Sequence, residues 1–153
     1  NDDEILSFSQ LTLSEPMDVR FIELMPIGHA DAGDYGYMSG EEIRRIISAA
    51  KEEPYDGGVA RYYRYPNAPG RIGIISPISC KFCDQCNKIR LTADGKLKTC
   101  LHSNQEIDLN PVLKTGDDKA LADKLAQAIL SKESRHHIEE GITTERDMNK
   151  IGG

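Results

Sequence analysis

The chain has 153 residues and a formal net charge of −6. That length suits one domain or part of a larger protein, and a net acidic chain is no general nucleic-acid binder, because such binding rests on Lys and Arg neutralising phosphates. A small basic pocket for one phosphorylated ligand remains compatible with the charge, while no apolar run approaches the roughly 20 residues that span a bilayer, so no membrane partner is expected.

No signal peptide opens the sequence. Four closely spaced cysteines without an export signal point to metal ligands in a cytoplasmic protein rather than to disulfides. With three Phe, six Tyr and no Trp, the core must rest on aliphatic side chains.

The opening NDDEILSFSQLTL has an uneven helical stripe of Ile5, Phe8 and Leu11 or Leu13, with Asn1 or Asp2 as cap. Val19 to Met25 is short, apolar and stopped by Pro26, which predicts a buried strand. A Gly- and Asp-rich loop follows. A helix is then expected over SGEEIRRIISAAKE, with Ser39 as cap and Glu42 three residues on. Helix, strand, helix is the rhythm of an α/β fold.

From residue 57 the pattern changes. GGVARYYRY, RIGIISPIS, NKIRLTA and GKLKTCL are short strand candidates separated by turns, and this part reads as antiparallel. A helix through DDKALADKLAQAILSKES carries Leu121, Leu125, Ala128 and Ile129 on one face. The polar tail RHHIEEGITTERDMNKIGG is expected to be loosely held.

The four cysteines are Cys80, Cys83, Cys86 and Cys100. Asp94-Gly95 suits a two-residue type I′ turn, which puts Ile89 opposite Cys100 and leaves Cys86 at most about 10 Å away along the strand. The hairpin thus carries Cys100 back toward Cys83 and Cys86. A structural zinc site wants four closed ligands, often two CxxC pairs, whereas here the second half is Cys100 with His102 two residues on. Iron–sulfur clusters also use C-x₂-C-x₂-C runs, but thirteen residues separate Cys86 from Cys100. Spacing points to a metal and does not choose between zinc and iron–sulfur; the alternative is inert, buried thiols. Lys88 and Arg90 share a face on a strand beside this site and suit a phosphate chain, the Arg in bidentate fashion; otherwise they are an exposed strand face. Lys96 and Lys98 are expected in solvent.

FCDQCNKIRLTADGKLKTCL, together with NDDEI, DVRFIELMP, GRIGIISP and a final M-x-x-IGG, closely resembles the GTP 3′,8-cyclase (MoaA) family, the cyclic pyranopterin monophosphate synthase group of molybdenum-cofactor biosynthesis. The resemblance runs along nearly the whole chain. It implies a radical S-adenosylmethionine lyase that converts GTP to (8S)-3′,8-cyclo-7,8-dihydroguanosine 5′-triphosphate. The family's N-terminal C-x₃-C-x₂-C motif has no counterpart here, so the implied object is the C-terminal half. The implied fold is α/β: residues 1–56 supply the last strand–helix units of an incomplete (β/α) barrel. Residues 57–153 form an antiparallel strand-rich region with the second-cluster site, a C-terminal helix and a Gly-Gly tail.

By the same resemblance a second [4Fe–4S] cluster is held by Cys83, Cys86 and Cys100, with its fourth iron left for the guanine of GTP. Cys80 lies outside the motif, and His102, where the family usually has Phe, is not a ligand. Lys88, Ile89 and Arg90 fall on the GTP-binding stretch; the first position is usually Arg, and Lys88 keeps the charge without the planar fork. Arg20 falls on a catalytic position, Met25 on an S-adenosylmethionine-binding one, and Gly152 and Gly153 on a terminal pair that enters the active site. The implied partners are GTP, S-adenosylmethionine, the N-terminal barrel half with its own [4Fe–4S] cluster, and a second copy in a homodimer. Alone, the fragment is not expected to be catalytic. The competing expectation is a zinc-binding structural or interaction module using Cys80, Cys83, Cys86 and Cys100.

Overall fold

The computed structural model describes residues 1–27, 36–141, 144–147 and 150–151. Two compact units make up the chain. One comprises the described residues up to Met25 and from Gly36 to Gln85; the other comprises Pro26, Ile27 and the described residues from Cys86 onward.

The first unit opens with a 3₁₀ turn at Asp2–Glu4, helix α1 at Ile5–Gln10 and a second 3₁₀ turn at Leu11–Leu13. No side chain caps α1. Its buried face is not the expected apolar stripe: Phe8, Leu11 and Leu13 are exposed, and Ile5, Ser9 and Thr12 face inward. These three share the i, i+4, i+7 line of a helix. The hydroxyls tolerate burial because each has a partner: Ser9 Oγ donates to Leu6 O and meets Tyr65 Oη at 3.0 Å, and Thr12 Oγ1 donates to Ser9 O.

Strand β1 (Asp18–Ile22) is shorter than its expected span and only half covered, with Ile22 56% exposed. It pairs parallel with β4 (Arg71–Ile75), which pairs antiparallel with β3 (Arg61–Arg64), and β3 with β2 (Lys51–Glu52). The order is β1-β4-β3-β2, a mixed sheet, so β1 lies at an edge and alternates instead of being covered on both faces. The Gly- and Asp-rich loop expected after it falls largely on residues 28–35, outside the described ones.

Helix α2 (Gly40–Ile46) begins at the expected capping box, Ser39 Oγ accepting from Glu42 N and Glu42 accepting from Ser39 N. It ends earlier than its pattern: Ala50 N bonds Ile47 O, and Lys51 and Glu52 leave the helix to pair with Arg64 and Tyr63. The core lies where α1 and α2 meet the sheet, from Ile5, Ile43, Ile47, Tyr63, Ile72 and Ile74.

The second unit holds an antiparallel sheet of β5 (Arg90–Leu91), β6 (Lys96–Lys98) and β7 (Ile107–Asp108), in that order. Helices α3 (Asn110–Leu113) and α4 (Asp118–Leu130) follow. Leu97, Leu109 and Ala128 form its core, with Ile107 and Leu125 against it. Ile129, expected on the packed face of α4, is 50% exposed.

The β5–β6 hairpin is present with a register one residue off the expected one. Arg90 pairs with Lys98 and Leu91 with Leu97. Gly95 alone takes a positive φ, +78°, while Thr92 N bonds Lys96 O and Gly95 N bonds Thr92 O. This is a three-residue loop with glycine in the left-handed position, not a type I′ turn, which needs positive φ at both central residues. Asn110 selects it by donating to Asp94 O at 2.8 Å.

Lys98 is buried, not solvated. Its Nζ donates to Ser103 O and to Thr144 Oγ1 and stands 3.7 Å from Glu106. The tail is also packed: His136, Thr144 and Ile151 are buried, and Arg146 grips Glu106 and Asp94 with paired hydrogen bonds. Asp94 is held far below the usual carboxylate range by those Arg146 bonds, with help from Thr92.

Candidate metal and nucleotide site

The approach to the cysteines in the first unit is organised by Glu23, which directly follows β1 and is 2% exposed. Its carboxylate accepts from Gly40 N at 2.7 Å, from Ile78 N and Ser79 N at 2.9 Å each, and from Ser79 Oγ. Burial pushes this carboxyl up, but the Ser79, Gly40 and Ile78 donors outweigh it and hold the group below its ordinary value. One buried anion thus ties the start of α2 to the turn that precedes Cys80. Gly40 has to be small there, since a Cβ would lie 2.1 Å from Ser76 Oγ.

Beyond the turn, Cys80 N bonds Ser76 O, and its thiol is exposed. Cys83 is half-buried and begins a 3₁₀ turn, Cys83–Gln85. The Tyr55 hydroxyl lies 2.7 Å from Gln85 Oε1 and 2.8 Å from Gly58 O, donating to one at a time. A cavity of about 500 Å³ opens here, lined among others by Arg44, Tyr55, Arg61, Cys80, Lys81 and Asp84. The Arg61 guanidinium lies 4.4 Å from the centroid of the Tyr55 ring, a cation–π distance.

In the second unit Cys86 and Cys100 are half-buried free thiols. Lys132, just past α4, donates to Cys86 O and Lys88 O at 2.8 Å each and reaches Cys86 Sγ at 3.4 Å. Counting back from the Arg90–Lys98 pair puts Lys88, not Ile89, level with Cys100. Cys86 is then two residues from that level, about 7 Å along a strand, nearer than the expected register allows. Lys88 and Ile89 are exposed and Arg90 is half-buried. Only Arg90 of these three lies in β5; Lys88 and Ile89 precede it, so the expected strand face carrying Lys88 and Arg90 does not extend that far.

His102 is 5% exposed, and its Nδ1 has no hydrogen-bond partner among the described residues. Burial, then the neighbouring His136 at 5.3 Å between ring centroids, lowers its pKa to about 4. A neutral ring is the result. The first-unit positions stand in different surroundings. Arg20 lies on β1, half-exposed, 3.6 Å from Asp18, on the sheet face where Gly73 leaves room for it and Tyr62. Met25 is half-buried. Gly152 and Gly153 lie outside the described residues.

Among the described residues no three His, Cys, Asp or Glu side chains converge on one ion. Around a single zinc, thiolates at 2.3 Å would stand only about 3.8 Å apart, whereas each cysteine of a four-iron cluster binds its own iron. Cys83 in the first unit and Cys86 and Cys100 in the second are half-buried free thiols, the donor type that iron–sulfur clusters take, and exposed Cys80 differs from all three. Glu23 and Lys132 escaped the sequence reading, and Lys98, expected in solvent, is buried. A carboxylate in the apolar run FIELMP was a visible signal for Glu23, because a buried charge needs donors. Lys132 lies 46 residues from Cys86 and offered none.

Curated relatives match this chain from end to end. The GTP 3′,8-cyclase of Alkaliphilus oremlandii is 47% identical over 157 aligned positions, which take in all of this chain and 49% of that protein. Those of Moorella thermoacetica and Peptoclostridium acidaminophilum are 44% and 45% identical, again over the whole chain and over 49% and 48% of their own lengths. The chain therefore spans about half the length of the curated relatives it matches. Residues 17–138 match the family described as Molybdenum Cofactor Synthesis C, and with most of its length inside that match the chain belongs to this family.

Proposed function

We propose that this chain is the C-terminal, GTP-binding part of a cytoplasmic radical S-adenosylmethionine GTP 3′,8-cyclase. On this reading residues 1–56 close a partial barrel and residues 57–153 carry the substrate site. The observation that carries the proposal is similarity along the whole of this chain to about half of proteins of that name, joined to the half-buried thiols of Cys83, Cys86 and Cys100.

Those three side chains would hold a [4Fe–4S] cluster, which when bound would supply a Lewis-acidic iron contact for guanine. The rest of the work falls to the chain. Lys88 and Arg90 face the triphosphate with a point charge and a planar fork. Glu23 fixes the turn leading to Cys83. Arg20 and Met25 face the reacting region and S-adenosylmethionine, and Gly152 with Gly153 lets bare backbone approach the substrate. The other barrel half supplies the radical chemistry.

The test is anaerobic reconstitution followed by iron and sulfide analysis and magnetic spectroscopy with and without GTP. About four of each per chain are expected, with a cluster signal that GTP alters. An intact cluster whose signal ignores GTP in the full-length enzyme refutes the substrate role.

A further inference from the structure

We propose that Lys132 is a positioning residue for the cluster-bearing segment, holding the Cys86–Lys88 backbone in place and setting the electron affinity of the cluster through the Cys86 sulfur. This rests on the reading of Cys86 as a ligand.

A lysine ammonium has three donors and ordinarily stays in water. Here the side chain is half-buried, and among the described residues it meets three acceptors in one three-residue stretch: Cys86 O and Lys88 O at 2.8 Å, and Cys86 Sγ at 3.4 Å. That stretch precedes β5 and belongs to no regular element, so its carbonyls have no ladder to satisfy them. The ammonium substitutes for the missing ladder. Its own backbone is fixed as the end of α4, with Lys132 N bonded to Ile129 O and Ser131 N to Gln127 O. A 13-residue helix therefore acts as the strut behind the loop.

The consequences are geometric and electrostatic. Fixing Lys88 O fixes the peptide plane that leads into Ile89 and Arg90, the stretch that meets the nucleotide. A cation hydrogen-bonded to a ligand sulfur favours the more negative, reduced form of a cluster, and hydrogen bonds to sulfur are among the levers that set cluster potentials.

The experiment compares wild type with Lys132→Met, which keeps the stem without the charge, and Lys132→Arg, which keeps the charge. Two quantities are read on the reconstituted full-length protein: the reduction potential of the cluster by magnetic spectroscopy, and amide exchange over residues 86–90 in the metal-free form. In Lys132→Met the potential moves negative and exchange at 86–90 rises by about tenfold, with β6 and α4 unchanged; Lys132→Arg stays near wild type in potential. If Lys132→Met does not fold, Lys132→Gln is measured in its place with the same expected directions. An unchanged potential, or unchanged exchange, overturns the proposal. Wild type that takes up no cluster refutes the parent reading of Cys86 instead, so the two failures are told apart.

Discussion

Removing the Glu23 carboxylate should destabilise the first unit by several kcal/mol, and acid should erase part of the difference. The carboxylate is 2% exposed and accepts from three backbone N–H groups and one hydroxyl. Glu23→Ala leaves the Gly40, Ile78 and Ser79 amides without an acceptor. A stranded buried donor costs about 1–3 kcal/mol, and the Ile78 and Ser79 bonds are only part-buried, so water recovers some of that. The expected loss is about 3–5 kcal/mol for Ala. It is about 1–3 kcal/mol for Glu23→Gln, whose amide keeps an acceptor oxygen but points an NH₂ at the remaining donors. The folded carboxyl lies below its ordinary value. Its stabilisation is therefore fully present above the unfolded value of about 4.3 and is lost as pH falls through the folded value. Urea unfolding of wild type and both variants from neutral to acid pH reads this directly. A gap under about 1 kcal/mol at neutral pH, or one that does not narrow in acid, refutes the reasoning.

Cys83→Ala, Cys86→Ala and Cys100→Ala should each abolish most iron uptake, while Cys80→Ala leaves it unchanged; equal loss from Cys80→Ala would favour a four-cysteine zinc site, which metal analysis reads at once. Gly95→Ala should cost about 2 kcal/mol or more in thermal or urea unfolding, since an L side chain at positive φ is strained and a Cβ there would lie 2.7 Å from Asn110 Oδ1. Lys88→Arg should tighten GTP binding several-fold, about 1 kcal/mol by isothermal titration, because a planar fork grips phosphate in two places.

Local signals carried some elements well and others badly. The Ser39/Glu42 box is satisfied within four residues of chain, so its helix start was legible. The end of that helix was not: Lys51 and Glu52 are drawn out of it by Tyr63 and Arg64, partners that local periodicity does not see. The Asp94-Gly95 turn was visible as a turn, but its loop length is set by Asn110, and the one-residue slip moves Lys88 level with Cys100. The inward face of α1 was misjudged because Ser9 and Thr12 become acceptable in a core only through partners such as Tyr65. Lys98 and the tail were misjudged for the same reason: Glu106 offsets the charge of Lys98 and also holds Arg146, and Thr144, which accepts from Lys98, lies 46 residues along the chain. At the candidate site, the cysteine spacing and the basic pair stand in the sequence as local motifs, while the supports Glu23 and Lys132 depend on long-range folding.

The parallel pairing of β1 with β4 also bears on the order of assembly. Asp18 and Arg71 are 53 residues apart, whereas Tyr63 and Ile72 pair across nine. Loop-closure entropy makes the longer closure roughly 1.5 kcal/mol more costly before any contact compensates it. On loop closure alone the antiparallel β3–β4 ribbon is the cheaper pairing of the first unit, and the docking of β1 the costlier one. Because Glu23 follows β1 directly, its contacts with Gly40, Ile78 and Ser79 depend on that costlier docking, so whatever loosens β1 also loosens the turn before the cysteines.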